Sequence, residues 1–264
     1  MRKITTILSL LLLLMFFISS CVTDVPIETP FESTPEQSPY YPTPDEPTPS
    51  EPTDEYAHVF QTFQEFIAFV NQATMETARS SVKIRIRVIN DQFVTEDEIY
   101  VSGFIFFIDS VHAHVMTVFE PFDAPSDYRF NIRVYDFMDR EYTATLREAD
   151  MENNIAAIRF VKPLVNPLQP ASLSSDSTVY HEPLLMIGYH RSILNGMQMG
   201  ILKDPSSINN LIKTTLIADH FARGSLIVNA KNDIIGMQSL ETNEQGYAYA
   251  IHHDTMKVFI ENYA

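Results

Sequence analysis

The stretch "TTLIADHFARGSLIVNAKNDIIGM", Thr214–Met237, decides the fold class. A tight Ala222-Arg223-Gly224-Ser225 loop feeds an apolar run, Leu226-Ile227-Val228. A polar turn follows over Asn229–Asp233, and then a second apolar pair, Ile234-Ile235. Short β-branched runs flanking a polar turn read as the two strands of a hairpin. A serine exposed on a glycine-containing loop just before a strand is also where several hydrolases hold a nucleophile. Ser225 is therefore the first candidate for chemistry.

The same punctuation recurs along the chain. "VKIRIRVI", Val82–Ile89, alternates apolar and basic residues strictly and predicts a half-exposed strand. Short β-like runs follow at 100–108, 114–119, 130–135, 142–146, 155–160, 184–189, 197–202, 214–217, 226–228, 234–238 and 247–251. Val59, Phe60, Phe63, Phe66, Ile67 and Val70 have helical spacing and predict a short helix opening the domain. Met256, Val258, Phe259 and Ile260 predict a closing helix over 254–263, capped by Asp254. Many short strands without intervening helices exclude an alternating βαβ sheet. They leave an all-β sandwich or a pair of barrels.

Composition bounds the partners. The 264 residues carry a formal net charge of −16, which excludes the basic footprint that nucleic acid requires. The lone cysteine excludes an internal disulfide. No phosphate-binding loop, dinucleotide-binding glycine pattern or Cys/His metal spacing is visible, so neither a metal nor a cofactor is expected. The histidines read as surface or satisfied residues. His252 and His253, as neighbours on a strand, are expected to point to opposite faces.

The first residues stand apart from the fold. Arg2 and Lys3 precede an apolar run from Ile7 to Ile18, and Ser19-Ser20-Cys21 follows. The run is short for a helix that spans a bilayer. Residues 1–21 resemble the bacterial lipoprotein signal, whose small residues end at a cysteine. That resemblance implies a lipidated Cys21 and an extracytoplasmic domain anchored to the bacterial cell membrane through membrane lipid. An ordinary signal peptide or an N-terminal membrane helix is the alternative. Residues 22–56 hold nine prolines, nine acidic residues and no basic residue. Such a segment buries too little apolar area to offset the entropy of ordering, and it predicts an extended tether. The globular domain is then 57–264.

The order of the strands and the residues between them resemble a known family. "SGFIF" (Ser102–Phe106) is similar to the Gly-Ser-Gly-Phe strand of trypsin-fold serine proteases of the HtrA/Deg type. "HVMTVFEPF" (His114–Phe122) resembles the next strand, which in the family leads to the catalytic histidine. "FNIRVYDFMDREYTATLREADMENNIAAIRF" (Phe130–Phe160) is the closest stretch, ending where the family has Asp-hydrophobic-Ala-hydrophobic. "EPLLMIGYHRSILNGMQMGIL" (Glu182–Leu202), "LIVNAKNDIIGM" (Leu226–Met237) and "GYAYAIHHDTMKVFIE" (Gly246–Glu261) resemble the later strands and the closing helix. The resemblance covers residues 82–264. It implies a chymotrypsin-type double β-barrel with a short N-terminal helix and a C-terminal helix, and no PDZ domain is expected after it.

The resemblance also places a site, and the site departs from the family. Catalysis there needs a His to take the Ser proton, an Asp to hold that His, and backbone amides for the oxyanion. The His position falls on Glu120, the Asp position on Asn154 and the Ser position on Arg223. The oxyanion loop becomes Phe221, Ala222 and Gly224, with Phe221 where the family has a glycine. Glu120 and Arg223 either pair as a salt bridge or have drifted independently towards solvent. Three functions follow. One is an inactive peptidase domain that binds a peptide or protein. Another is an active serine endopeptidase with a displaced triad around Ser225, served by His112, His114 or His220. The third is a purely structural lipoprotein head.

Overall fold

The computed structural model describes residues 60–263 except 166, 176, 177, 191, 192, 209 and 241. The signal segment with Cys21, and the linker, lie outside the described residues. Among the described residues no helix is long and apolar enough to cross a membrane.

The chain forms two closed, six-stranded antiparallel barrels. The first holds β1 (Ser81–Ile89), β2 (Thr95–Ile108), β3 (His112–Val118), β4 (Arg129–Tyr135), β5 (Glu141–Asp150) and β6 (Ile155–Val161). The second holds β7 (Pro183–His190), β8 (Ile193–Ile208), β9 (Leu211–Thr214), β10 (Leu226–Asn229), β11 (Ile234–Leu240) and β12 (Ala248–His252). The first barrel closes in the order β1-β2-β3-β6-β5-β4, and the second repeats that order as β7-β8-β9-β12-β11-β10. The architecture is all-β and compatible with a trypsin-like double barrel.

The alternation in β1 does what its pattern predicts. Val82, Ile84, Ile86 and Val88 are buried, while Lys83, Arg85 and Arg87 stay partly exposed. Exposed basic residues need acidic neighbours, and this explains why β2 begins at Thr95 rather than at Tyr100. Its acidic first half pairs with the far end of β1, so that Arg87 faces Glu98. The decisive hairpin is β10–β11. Leu226 and Val228 enter the core shared with the first barrel, and Ile227 enters the second barrel's own core. A strand covered on both faces is continuously apolar, which is why Leu226-Ile227-Val228 does not alternate. The turn is tied by Asn229, whose Oδ1 accepts the amides of Lys231 and Asp233, both at 3.0 Å.

Helix α1 (Phe63–Ala78) starts at Thr62, whose hydroxyl accepts the Glu65 amide at 3.1 Å. Its buried stripe is Phe69, Ala73 and Thr77, and Phe63 and Ile67 are exposed. The expected stripe was displaced because the helix runs two turns further and docks by its C-terminal half. Phe60 and Phe66 still pack against the core from its edge, with Phe60 stacked on Phe69 at 5.1 Å. Strand β9 is Leu211–Thr214, so the expected strand over 214–217 overlaps it by one residue, and just beyond it the Thr215 amide still donates to the Ile201 carbonyl of β8 at 3.0 Å. Helix α2 (His253–Asn262) is capped by His252, whose ring accepts the Asp254 amide at 3.3 Å, and not by Asp254.

Candidate functional site

The seam between the barrels brings Glu120, Asn154 and Arg223 together. Glu120 opens a 3-10 turn (Glu120–Phe122) after β3. Arg223 follows a second one (His220–Ala222) ahead of β10. The Arg223 guanidinium pairs with the Glu120 carboxylate through Nη1, while its Nε donates to the His220 carbonyl at 3.0 Å. Asn154, at φ +55°, precedes β6. Its Oδ1 accepts the Glu120 amide at 2.8 Å, and its Nδ2 donates to Ser239 Oγ on β11 at 3.1 Å. The two contacts from the second barrel, Arg223 and Ser239, thus meet one loop and one turn of the first. Glu120 keeps 57 % of its side chain exposed, so solvent screens the pair to about 0.2–1 kcal/mol. Its main consequence is geometric: it fills the seam.

Four amides of the loop around it, those of Phe221, Ala222, Gly224 and Ser225, are committed. The Asp219 carboxylate accepts the amides of Phe221 and Ala222, both at 3.0 Å. A carboxylate at that point satisfies donors that would otherwise face an incoming oxyanion. Phe221 is not at positive φ, because the segment has closed into the 3-10 turn. Its ring packs on Tyr189 at 5.5 Å and lies 6.5 Å from Tyr100, building an aromatic wall beside Arg223. Gly224, at φ +84°, is where the second barrel touches the backbone of β2.

Ser225 is not the exposed loop serine that its sequence context suggests. It is 1 % exposed, and its hydroxyl donates to Ser102 Oγ at 2.8 Å. Ser102 in turn accepts the Tyr189 amide at 2.7 Å. Among the described side chains no imidazole hydrogen-bonds Ser225. His114 is held by Tyr263 and Asp109, and the His220 ring lies 3.8 Å from that of Phe221.

One grouping escaped the sequence reading, and a second was set aside there. At the β2–β3 turn, Asp109, His112 and His114 place one ligand atom each within 4.8 Å of one another. The signal was present as His-x-His on a strand, where a period of two puts both rings on one face. Hydrogen bonds from His114 first, and then from the His112 and Val111 amides, hold the Asp109 carboxyl well below the usual carboxylate range.

The second grouping is His252, His253 and Asp254. The rings of His252 and His253 lie 4.1 Å apart rather than on opposite faces, because the strand ends at His252 and His253 begins α2. Burial pushes both imidazoles below the ordinary histidine range, with Asp254 opposing and Lys257 adding to the shift. The folded protein therefore resists protonation that the unfolded chain accepts, so stability falls as pH drops through about 6.5. Denaturant melts at pH 7.5 and 5.5 are expected to show this loss. In His253→Gln the loss should be smaller.

No family model matches the chain, and no curated protein matches it.

Proposed function

We propose that this chain is an extracytoplasmic lipoprotein, anchored through Cys21, whose trypsin-type double barrel of HtrA/Deg character binds a peptide or protein without hydrolysing it. The observation that carries the reading is the Glu120–Arg223 ion pair, braced by Asn154, at the barrel seam where the resemblance places a proton relay. A guanidinium is neither a nucleophile nor a base at accessible pH, and an amide carries no charge to offset that of an imidazolium. The Asp219 carboxylate on the Phe221 and Ala222 amides supports the same reading, since it stands where negative charge would have to develop. The buried Ser225 hydroxyl weighs against a displaced triad.

The aromatic wall of Tyr100, Tyr189 and Phe221 suits a binding role. So does an open, acidic hollow of about 730 Å³ beside α2, rimmed by Glu148, Asp150, Glu152 and Asp254. The test is made on the whole chain in detergent. A fluorophosphonate probe is expected to leave Ser225 unlabelled, casein to stay intact, and a peptide library to yield binders. Casein cleavage that disappears in Ser225→Ala would overturn the reading. Absence of any peptide binder would leave the domain a rigid head instead.

A further inference from the structure

The β2–β3 turn builds a second site, remote in sequence from the seam loop and independent of the proposed peptide-binding role. Asp109 is pinned through Oδ1, which accepts the amides of Val111 and His112, both at 2.6 Å. That leaves Oδ2 aimed at two imidazoles, with His114 Nε2 at 2.9 Å and His112 Nδ1 at 3.5 Å. His114 is 7 % exposed, and the other two side chains are partly open to solvent. Against them lies a cavity of about 360 Å³ walled by Phe106, Phe107, Arg159, Ile260 and Tyr263. We propose that Asp109, His112 and His114 bind a zinc-class divalent transition ion whose remaining coordination position faces this cavity.

The distances fit. Ligands held at 2.0–2.2 Å in a tetrahedral arrangement stand roughly 3.3–3.6 Å apart. The contacts at Oδ2 lie near that separation and all three donor atoms lie within 4.8 Å of one another, so the imidazoles shift to close around an ion. The donor set also selects the ion. Two imidazoles and one carboxylate suit zinc-class ions with an open position, whereas calcium and magnesium take oxygen ligands.

The surroundings complete a metal site. A ligating imidazole needs its other nitrogen held by a partner. His114 Nδ1 lies 2.8 Å from the Tyr263 hydroxyl, so with Nε2 on the ion the Nδ1 proton goes to Tyr263 Oη. Tyr263 is thus a positioning residue, acting through His114. Lys162 Nζ donates to the Asp109 carbonyl at 2.8 Å, and Arg159 lines the cavity. One carboxylate leaves a divalent ion with excess positive charge, and these two cations add to it. The open position therefore takes an anion: hydroxide or a small carboxylate.

The whole chain, purified in detergent and stripped with chelator, is titrated with zinc and separately with cobalt(II). Zinc is expected to raise the thermal midpoint saturably, and cobalt to give the visible d–d absorption of a low-coordinate nitrogen–oxygen site. His112 is half-buried at the turn, so His112→Ala retains the fold and is expected to weaken zinc by on the order of a hundredfold or more. Tyr263→Phe is expected to cost about tenfold in zinc affinity, and to lower the metal-free midpoint as well, because His114 Nδ1 loses its hydroxyl partner. The proposal is overturned by native protein that shows neither a zinc-dependent midpoint nor cobalt bands, or by His112→Ala binding as tightly as the native chain. Unchanged zinc affinity in Tyr263→Phe removes the positioning role alone.

Discussion

Gly224→Ala is expected to lower the unfolding free energy by about 3–5 kcal/mol. Two costs combine there. The residue sits at φ +84°, where an L side chain is strained by on the order of 1 kcal/mol. An added Cβ would also stand 2.0 Å from the Ser102 carbonyl oxygen and 2.8 Å from its carbon. That carbonyl cannot swing away. Ser102 lies in the middle of β2, its amide donates to the Arg223 carbonyl at 2.7 Å, and its oxygen accepts from the Thr117 hydroxyl at 2.6 Å. The collision is therefore backbone against backbone, and the two barrels must part to relieve it. Each kcal/mol is worth roughly 2–4 °C in a domain of this size, so the midpoint should drop by at least 6 °C. Gly246→Ala is the control. It shares the conformation, at φ +79°, but its added Cβ meets nothing within 4 Å. Calorimetry of the two variants should show a small loss for Gly246→Ala and a severalfold larger one for Gly224→Ala. Equal losses would mean that close approach at the seam contributes nothing.

Gly224 also shows how far residue patterns reach. The strands were legible because alternation in β1, and unbroken apolar runs in β10 and β11, are direct records of which faces are covered. The seam was legible only through resemblance. Nothing in "FARGSLIVN" states that Arg223 meets a glutamate about a hundred positions earlier, or that Ser225 faces inward to Ser102. Those facts depend on how one barrel sits on the other. The helix stripe in α1 misled for a related reason: Phe63 and Ile67 have the right spacing, yet the docking surface lies under Phe69, Ala73 and Thr77. The grouping at Asp109 was hidden because the stretch Asp109–His114 is no standard Cys/His metal spacing. Once β3 is known to be a strand, His112 and His114 fall on one face without further argument.

Asp136→Ala is expected to cost about 3 kcal/mol, a midpoint shift of roughly 6–12 °C. Asp136 links β4 to β5, and its carboxylate is wholly buried. Oδ1 accepts the amides of Met138 and Arg140 at 2.9 and 3.1 Å, and so fixes the turn. Oδ2 accepts Arg140 Nε at 2.8 Å and the Tyr142 hydroxyl at 2.9 Å. Burial, and then the bond to Asp136, push the Tyr142 phenol up to about 12, so it stays a donor across the accessible pH range. Truncation strands that donor beside Phe160, on which the Tyr142 ring stacks at 4.7 Å. A buried group left without its partner loses its desolvation cost, about 1–3 kcal/mol, and the partly buried Tyr142 hydroxyl loses a share of that. Arg140 is partly exposed, but its Nη2, 2.7 Å from Asp136 Oδ2, is buried and loses its charge partner too. Asp136→Asn separates the contributions. It keeps the Oδ1 acceptor for the turn amides but removes the charge facing Arg140, and about 1–2 kcal/mol is expected. Tyr142→Phe in the Asp136→Ala background should then recover part of the loss, because the stranded hydroxyl is gone. If the double variant melts no higher than Asp136→Ala alone, the loss arises in the turn and not in the stranded phenol.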